Sequence, residues 1–88
     1  MKAIVGELVQ STKGRDLGQI YLVVSVTKDG DCYLVNGDNR TFKNPKLKNS
    51  KHIKSLGCVV THLQQKLLLN KCIYDNEVFS CINGVKEK

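Results

Sequence analysis

Val9-Gln10-Ser11-Thr12-Lys13-Gly14-Arg15-Asp16-Leu17-Gly18-Gln19-Ile20-Tyr21-Leu22-Val23-Val24-Ser25-Val26 reads as strand, loop and strand in one continuous run. Its first residues end an apolar, partly β-branched segment, Ala3 to Gln10, with Ile4, Val5, Leu8 and Val9. Ser11 to Gly18 is mostly polar and holds two glycines four apart. Such residues let the backbone turn sharply or approach a ligand closely. From Gln19 to Lys28 the pattern alternates: Ile20, Leu22, Val24 and Val26 are expected on one face, Tyr21, Val23, Ser25 and Thr27 on the other. Apolar residues occur on both faces, which predicts a strand covered on both sides for part of its length.

Downstream, Asp29-Gly30-Asp31 predicts a tight reversal and Cys32-Tyr33-Leu34-Val35 a third strand. Asn36-Gly37 is a hairpin signal. It predicts that Arg40-Thr41-Phe42-Lys43 returns as a fourth strand, stopped by Pro45, which has no amide hydrogen for a ladder. Lys46 to Lys51 is then a basic connection, and His52-Ile53-Lys54 a short closing strand. The period changes in the last third. Thr61 and Gln64 are spaced for a capping box ahead of Leu63, Leu67 and Leu68. Asp75 opens a second helical pattern, with Val78, Ile82 and Val85 on one face and Tyr74 and Phe79 spaced for a hydrophobic staple. Helices are therefore expected near 61–70 and 75–84, each too short to stand without packing on a neighbour.

Eighty-eight residues suit one domain of limited depth, which would bury roughly 60% of its unfolded surface. A hydrophobic fraction of 41% with 25% charged residues is ordinary for a globular chain, with Met1-Lys2 and Val85-Lys88 expected to be loose ends. No apolar run approaches the ~20 residues of a membrane span, and no signal peptide is evident, so a cytoplasmic location is expected. The four cysteines, Cys32, Cys58, Cys72 and Cys81, include no C-x-x-C pair, and neither His52 nor His62 completes a ligand spacing. They are expected as reduced thiols with neither metal nor cofactor. No phosphate-binding G-x-x-x-x-G-K-[ST] loop, nucleophile elbow or apolar carboxylate pair occurs, so the chain is not expected to be an enzyme.

Charge is unevenly placed. Fourteen Lys and Arg against eight Asp and Glu give a formal +6. Between Asn39 and Tyr74 there is no acid, only Arg40, Lys43, Lys46, Lys48, Lys51, Lys54, Lys66 and Lys71. Such a field attracts polyanions, although a solvated lysine face or an edge strand guarded against aggregation would have the same composition. Lys13 and Arg15 sit at the tip of the glycine-bearing loop, where amides and guanidinium forks can grip phosphates. The loop and the acid-free stretch together give the candidate contacts: Lys13, Gly14, Arg15, Gly18, Arg40, Lys43, Lys46, Lys48, Lys51 and Lys54. Lys86 is expected to lie remote from them.

Lys13-Gly14-Arg15-Asp16-Leu17-Gly18-Gln19-Ile20, framed by Val9 and Val24, resembles the KOW motif of several ribosomal proteins and transcription elongation factors. The likeness extends through Val35-Asn36-Gly37-Asp38, Arg40, Asn44-Pro45-Lys46 and Lys51-His52-Ile53 to the small bacterial KOW-domain RNA-binding proteins. Those are themselves similar to a large-subunit ribosomal protein of archaea and eukaryotes. The resemblance covers roughly the first two-thirds of the chain. It implies a mainly β fold with an SH3-like (KOW) antiparallel barrel over residues 1–58, to which the helical pattern of the last third adds a short appendage over 59–88. It also implies docking on structured, ribosomal RNA within the ribonucleoprotein machinery of translation; the free chain is expected to be a monomer. Leu17 departs from the family, which often has Lys there. It can contact a sugar or base, or pack back onto the barrel, and packing back is the expectation. The competing expectation for the whole chain is a protein-interaction module serving ribosomal or transcription proteins.

Overall fold

The computed structural model describes residues 3–86. Five strands form one antiparallel sheet: β1 (Glu7–Ser11), β2 (Ile20–Val26), β3 (Asp31–Val35), β4 (Lys46–Asn49) and β5 (Ile53–Val59), in spatial order β4-β3-β2-β1-β5. A single turn of 3-10 helix, Ser50–His52, carries the chain from β4 to β5 and so from one sheet edge to the other. The Asn49 side chain starts that turn by accepting from the Lys51 amide at 2.9 Å. Helices α1 (Thr61–Leu68) and α2 (Asp75–Lys86) follow. The fold is thus mainly β with a helical C-terminal third. None of its helices, among the described residues, is long and apolar enough to cross a membrane.

Two apolar clusters lie on opposite faces of the sheet. Leu8, Ile20, Leu22 and Val35 meet Leu63 of α1, Ile73, and Val78 and Ile82 of α2. Val9, Tyr21, Val23, Cys32 and Leu34 form the other cluster, closed by Ala3, Val26 and Ile53. The double coverage expected of β2 is therefore present, but its alternation does not run unbroken. Opposite β3, Val23 faces Leu34 while Ser25 faces Tyr33, so one extra residue bulges out at Val24. A single inserted residue moves every later side chain to the other face. Val26 consequently packs with Val23 and not with Leu22, contrary to the strict period of the sequence.

The fourth strand is also displaced. Arg40 to Lys43 form no strand, and β4 begins after Pro45, at Lys46. Asn36 does not close a two-residue hairpin. Its Oδ1 accepts from the amides of Asp38 and Arg40, at 2.9 and 3.0 Å, and gathers a wider loop. Phe42 is drawn away from the sheet: its amide donates to Asp75 Oδ1 at 3.1 Å, and its side chain packs on the helix-side cluster. The closing strand is longer than His52-Ile53-Lys54, and its path contains a bulge opposite Leu8 and Val9.

Both helices start differently from expectation. Val60 precedes α1 and no side chain caps it, while Gln64 donates to the Val5 carbonyl at 3.0 Å, so no capping box forms. Glu77 accepts from the Tyr74 amide at 3.3 Å, but Tyr74 and Phe79 stay largely exposed and close no buried staple. Val85 and Lys86 belong to α2, whereas Met1, Lys2, Glu87 and Lys88 lie outside the described residues. Two glycines just outside the strands let the helices approach closely. Gly6 lies against Gln64, and Gly37, at φ +77°, lies against the backbone of Asp75 and Phe79.

Candidate nucleic-acid interface

The β1–β2 loop is a closed, hydrogen-bonded structure. Ser11 and Gly18 pair across its base, with Ser11 N–H to Gln19 C=O and Gly18 N–H to Ser11 C=O, both 2.9 Å. Leu17 N–H donates to Gly14 C=O, and Thr12 N–H ties the loop to His52 C=O of the 3-10 turn at 2.8 Å. Gly14 and Gly18 both have positive φ, +91° and +88°. The amides of Lys13, Gly14, Arg15 and Asp16 donate to nothing among the described residues, so the tip presents unpaired N–H groups beside two exposed cationic side chains. Leu17 does not pack back on the sheet. It is 67% exposed at the same tip.

Asp16 organises the site, and nothing in the sequence analysis singled it out. Its Oδ1 accepts from Ser11 Oγ at 2.9 Å and Lys48 Nζ at 2.5 Å, and its Oδ2 accepts from the Tyr21 hydroxyl at 2.7 Å. Lys46 Nζ stands 3.7 Å from Oδ2. Partial burial pushes the carboxyl upward, but the bonds from Lys48, Tyr21 and Ser11 and the charge of Lys46 outweigh it. Asp16 is held well below the usual carboxylate range. Burial, then the bond to Asp16, push the Tyr21 phenol in the opposite direction, above its ordinary value. Tyr21 is a buried structural residue and offers no ring to a ligand. The signal for Asp16 was present: it is the one acid in a cationic loop, with an acid-free stretch elsewhere that needs a counterion.

This hub sorts the candidate residues. Lys48 is turned inward, its side chain 9% exposed, and it also donates to the Lys13 carbonyl at 2.7 Å. It therefore holds the loop onto β4 and is not an open surface contact. Arg15 from the β1–β2 loop, Arg40 from the β3–β4 connection and Lys46 from β4 converge on one cleft of about 300 Å³, lined also by Asp16, Gln19, Tyr21 and Asn39. Neither arginine makes an ion pair or side-chain hydrogen bond among the described residues. Lys13, Gly14 and Gly18 sit on the loop beside it. Lys43 is exposed in the Thr41–Asn44 turn, outside the cleft. Lys51 and Lys54 line a separate groove of about 380 Å³, whose Glu7 accepts from Ile4 N–H and Ser55 Oγ, both at 2.9 Å.

Lys86 is nearer to the site than its place in the chain suggests, because it shares a shallow depression with Gln19. The cysteines are free thiols, Cys32 buried, Cys81 half-buried, Cys58 and Cys72 exposed. Burial pushes the Cys32 and Cys81 thiols up, away from the reactive thiolate. What the arrangement can do chemically is bind anions: guanidinium forks, a lysine and free amides face outward, and the only carboxylate among the residues lining the cleft is already saturated. No protein-family model matches the chain, and no curated protein matches it significantly.

Proposed function

We propose that the chain is an RNA-binding module, not an enzyme, that docks on structured, ribosomal RNA through the Arg15–Arg40–Lys46 cleft and the adjoining loop. The observation that carries the proposal is the convergence of three cations from separate elements, two of them without an ion pair or side-chain hydrogen bond among the described residues. Phosphate recognition needs such open forks, whereas a lysine face kept for solubility has no reason to gather them. A five-strand antiparallel meander, with a 3-10 turn returning the last strand beside the first, supports an SH3-like barrel of the KOW kind. The motif Lys13 to Ile20 supports the same assignment.

Salt dependence tests it. With about four to six phosphates contacted, log affinity for a structured ribosomal RNA fragment falls against log salt with a slope of roughly −3 to −5. Arg15→Ala weakens binding about tenfold and flattens the slope by about one. Lys71→Ala, on the exposed α1–α2 connection, is the charge-matched control and changes little, whereas Lys86 stands too close to Gln19 to serve. Equal losses from the Arg15 and Lys71 variants, measured by fluorescence anisotropy, would reject the site.

A second proposal, a protein-interaction module, is favoured by one feature. Leu68, Leu69 and Tyr74, in and beside the α1–α2 connection, are each about two-thirds exposed, and Phe79 is 43% exposed. Undetectable binding to structured RNA at low salt would put that function first.

A further inference from the structure

The cleft holds more than phosphate ligands. Its cations come with two carboxamides, Gln19 and Asn39, which carry no charge and offer acceptors as well as donors. The Gln19 side chain makes no hydrogen bond among the described residues, leaving a donor and an acceptor open. Asn39 Oδ1 accepts from Asn36 Nδ2 at 2.7 Å, which orients the side chain and leaves its own Nδ2 free to donate. A paired donor and acceptor beside a second donor is what the edge of a nucleobase requires, and a phosphate does not.

Size limits the occupant. About 300 Å³ is the lower end of the range for small-ligand pockets. It suits one nucleotide. No aromatic ring is available, since Tyr21 is buried with its hydroxyl bonded to Asp16. The planes of Arg15 and Arg40 supply the stacking surface, as guanidinium groups do for unstacked bases in RNA. Lys46, 28% exposed and only loosely tied to Asp16, remains for the phosphate.

We infer that the cleft takes a single unpaired nucleotide of the bound RNA, its base edge on Gln19 and Asn39 and its phosphate among Arg15, Arg40 and Lys46. The inference rests on the RNA-binding function proposed above and adds a local selectivity to it. Phosphate contacts of the cleft cations and the adjoining loop hold the protein on any structured RNA, and the carboxamides then favour sites with an extruded base.

The test uses the full chain and five RNA hairpins, one fully paired and four carrying a one-nucleotide bulge of each base, in anisotropy titrations at fixed salt. At least one bulged hairpin binds about tenfold more tightly than the paired one, the effect of one or two hydrogen bonds to a desolvated edge. Gln19→Ala removes that preference by weakening the bulged hairpins toward the paired one, and it leaves the salt slope unchanged because no charge is lost. Because the Gln19 side chain is exposed and makes no hydrogen bond among the described residues, the variant folds normally. Equal affinity for all five hairpins overturns the inference while leaving the RNA-binding function standing. A preference that survives Gln19→Ala also overturns it, as does a free nucleoside monophosphate that binds as tightly as the best bulged hairpin. Failure to bind any hairpin overturns both proposals together.

Discussion

Gly37→Ala is expected to destabilise the protein by about 3–4 kcal/mol, combining a strained left-handed backbone with overpacking against a helix. The residue sits at φ +77°, which an alanine adopts only with strain. A Cβ there would also run into the Asp75 carbonyl and lie 2.7 Å from the Phe79 amide nitrogen. Both are backbone atoms, so no side chain can rotate out of the way. Helix α2 would have to lift, and with it Val78 and Ile82, which are fully or nearly fully buried in the helix-side core. The bond between Phe42 N–H and Asp75 Oδ1 would be lost in the same movement. Gly18→Ala separates the two contributions. Gly18 has a similar φ, +88°, but an added Cβ would meet nothing within 4 Å. Its substitution therefore costs only the backbone strain, about 1 kcal/mol. Urea unfolding of both variants checks the comparison. Similar losses at the two positions would show that α2 is not seated on Gly37 as described.

Gly37 also shows why part of the fold was hidden in the sequence. Asn36-Gly37 between apolar segments signals a tight hairpin, and that signal places a strand at once on Arg40 to Lys43. The glycine in fact serves a long-range contact with α2, and Phe42 leaves the sheet for Asp75, thirty-three positions away. No local pattern records such a pairing. The β2 strand was legible because its apolar residues fill both faces. Its bulge was not, because Val-Val-Ser-Val supports either phase after Val23. Among the candidate contacts, the loop cations and Arg40 were legible as charges in an acid-poor region. Which lysine faces outward was not. Lys46 and Lys48 are two apart on one strand and share a face, and only their distances from Asp16 separate a surface charge from an internal one.

Those distances make Asp16→Asn the second large effect, a loss of about 3 kcal/mol at pH 7. Removing the charge leaves Lys48 with a side chain 9% exposed and no carboxylate partner, and the desolvation of that ammonium is then uncompensated. Acid should reproduce the substitution. The folded protein holds the Asp16 carboxyl below its ordinary value, so the unfolded chain takes up the proton more readily. The stabilisation is fully present above about pH 4, the ordinary carboxylate range, and is lost as pH falls from there through the depressed folded-state value. Tyr21 adds a limit at the other end. Its phenol is raised, so the stability it contributes is fully present below about pH 10, the ordinary phenol range, and is lost as pH rises from there through the raised folded-state value. Urea unfolding at pH 7 and at pH 3 should show the wild type losing stability that Asp16→Asn never had, so that the gap between the two narrows in acid. Lys48→Met supplies the third corner of a double-mutant cycle, since it keeps an apolar stem and removes the ammonium. A coupling of about 2 kcal/mol or more between the two substitutions is expected if the pair is shielded from water. A coupling under about 0.5 kcal/mol, with parallel acid limbs for wild type and Asp16→Asn, would mean a solvated surface pair. The loop would then be held by its backbone bonds alone, and Lys48 would return to the set of open cations available to RNA.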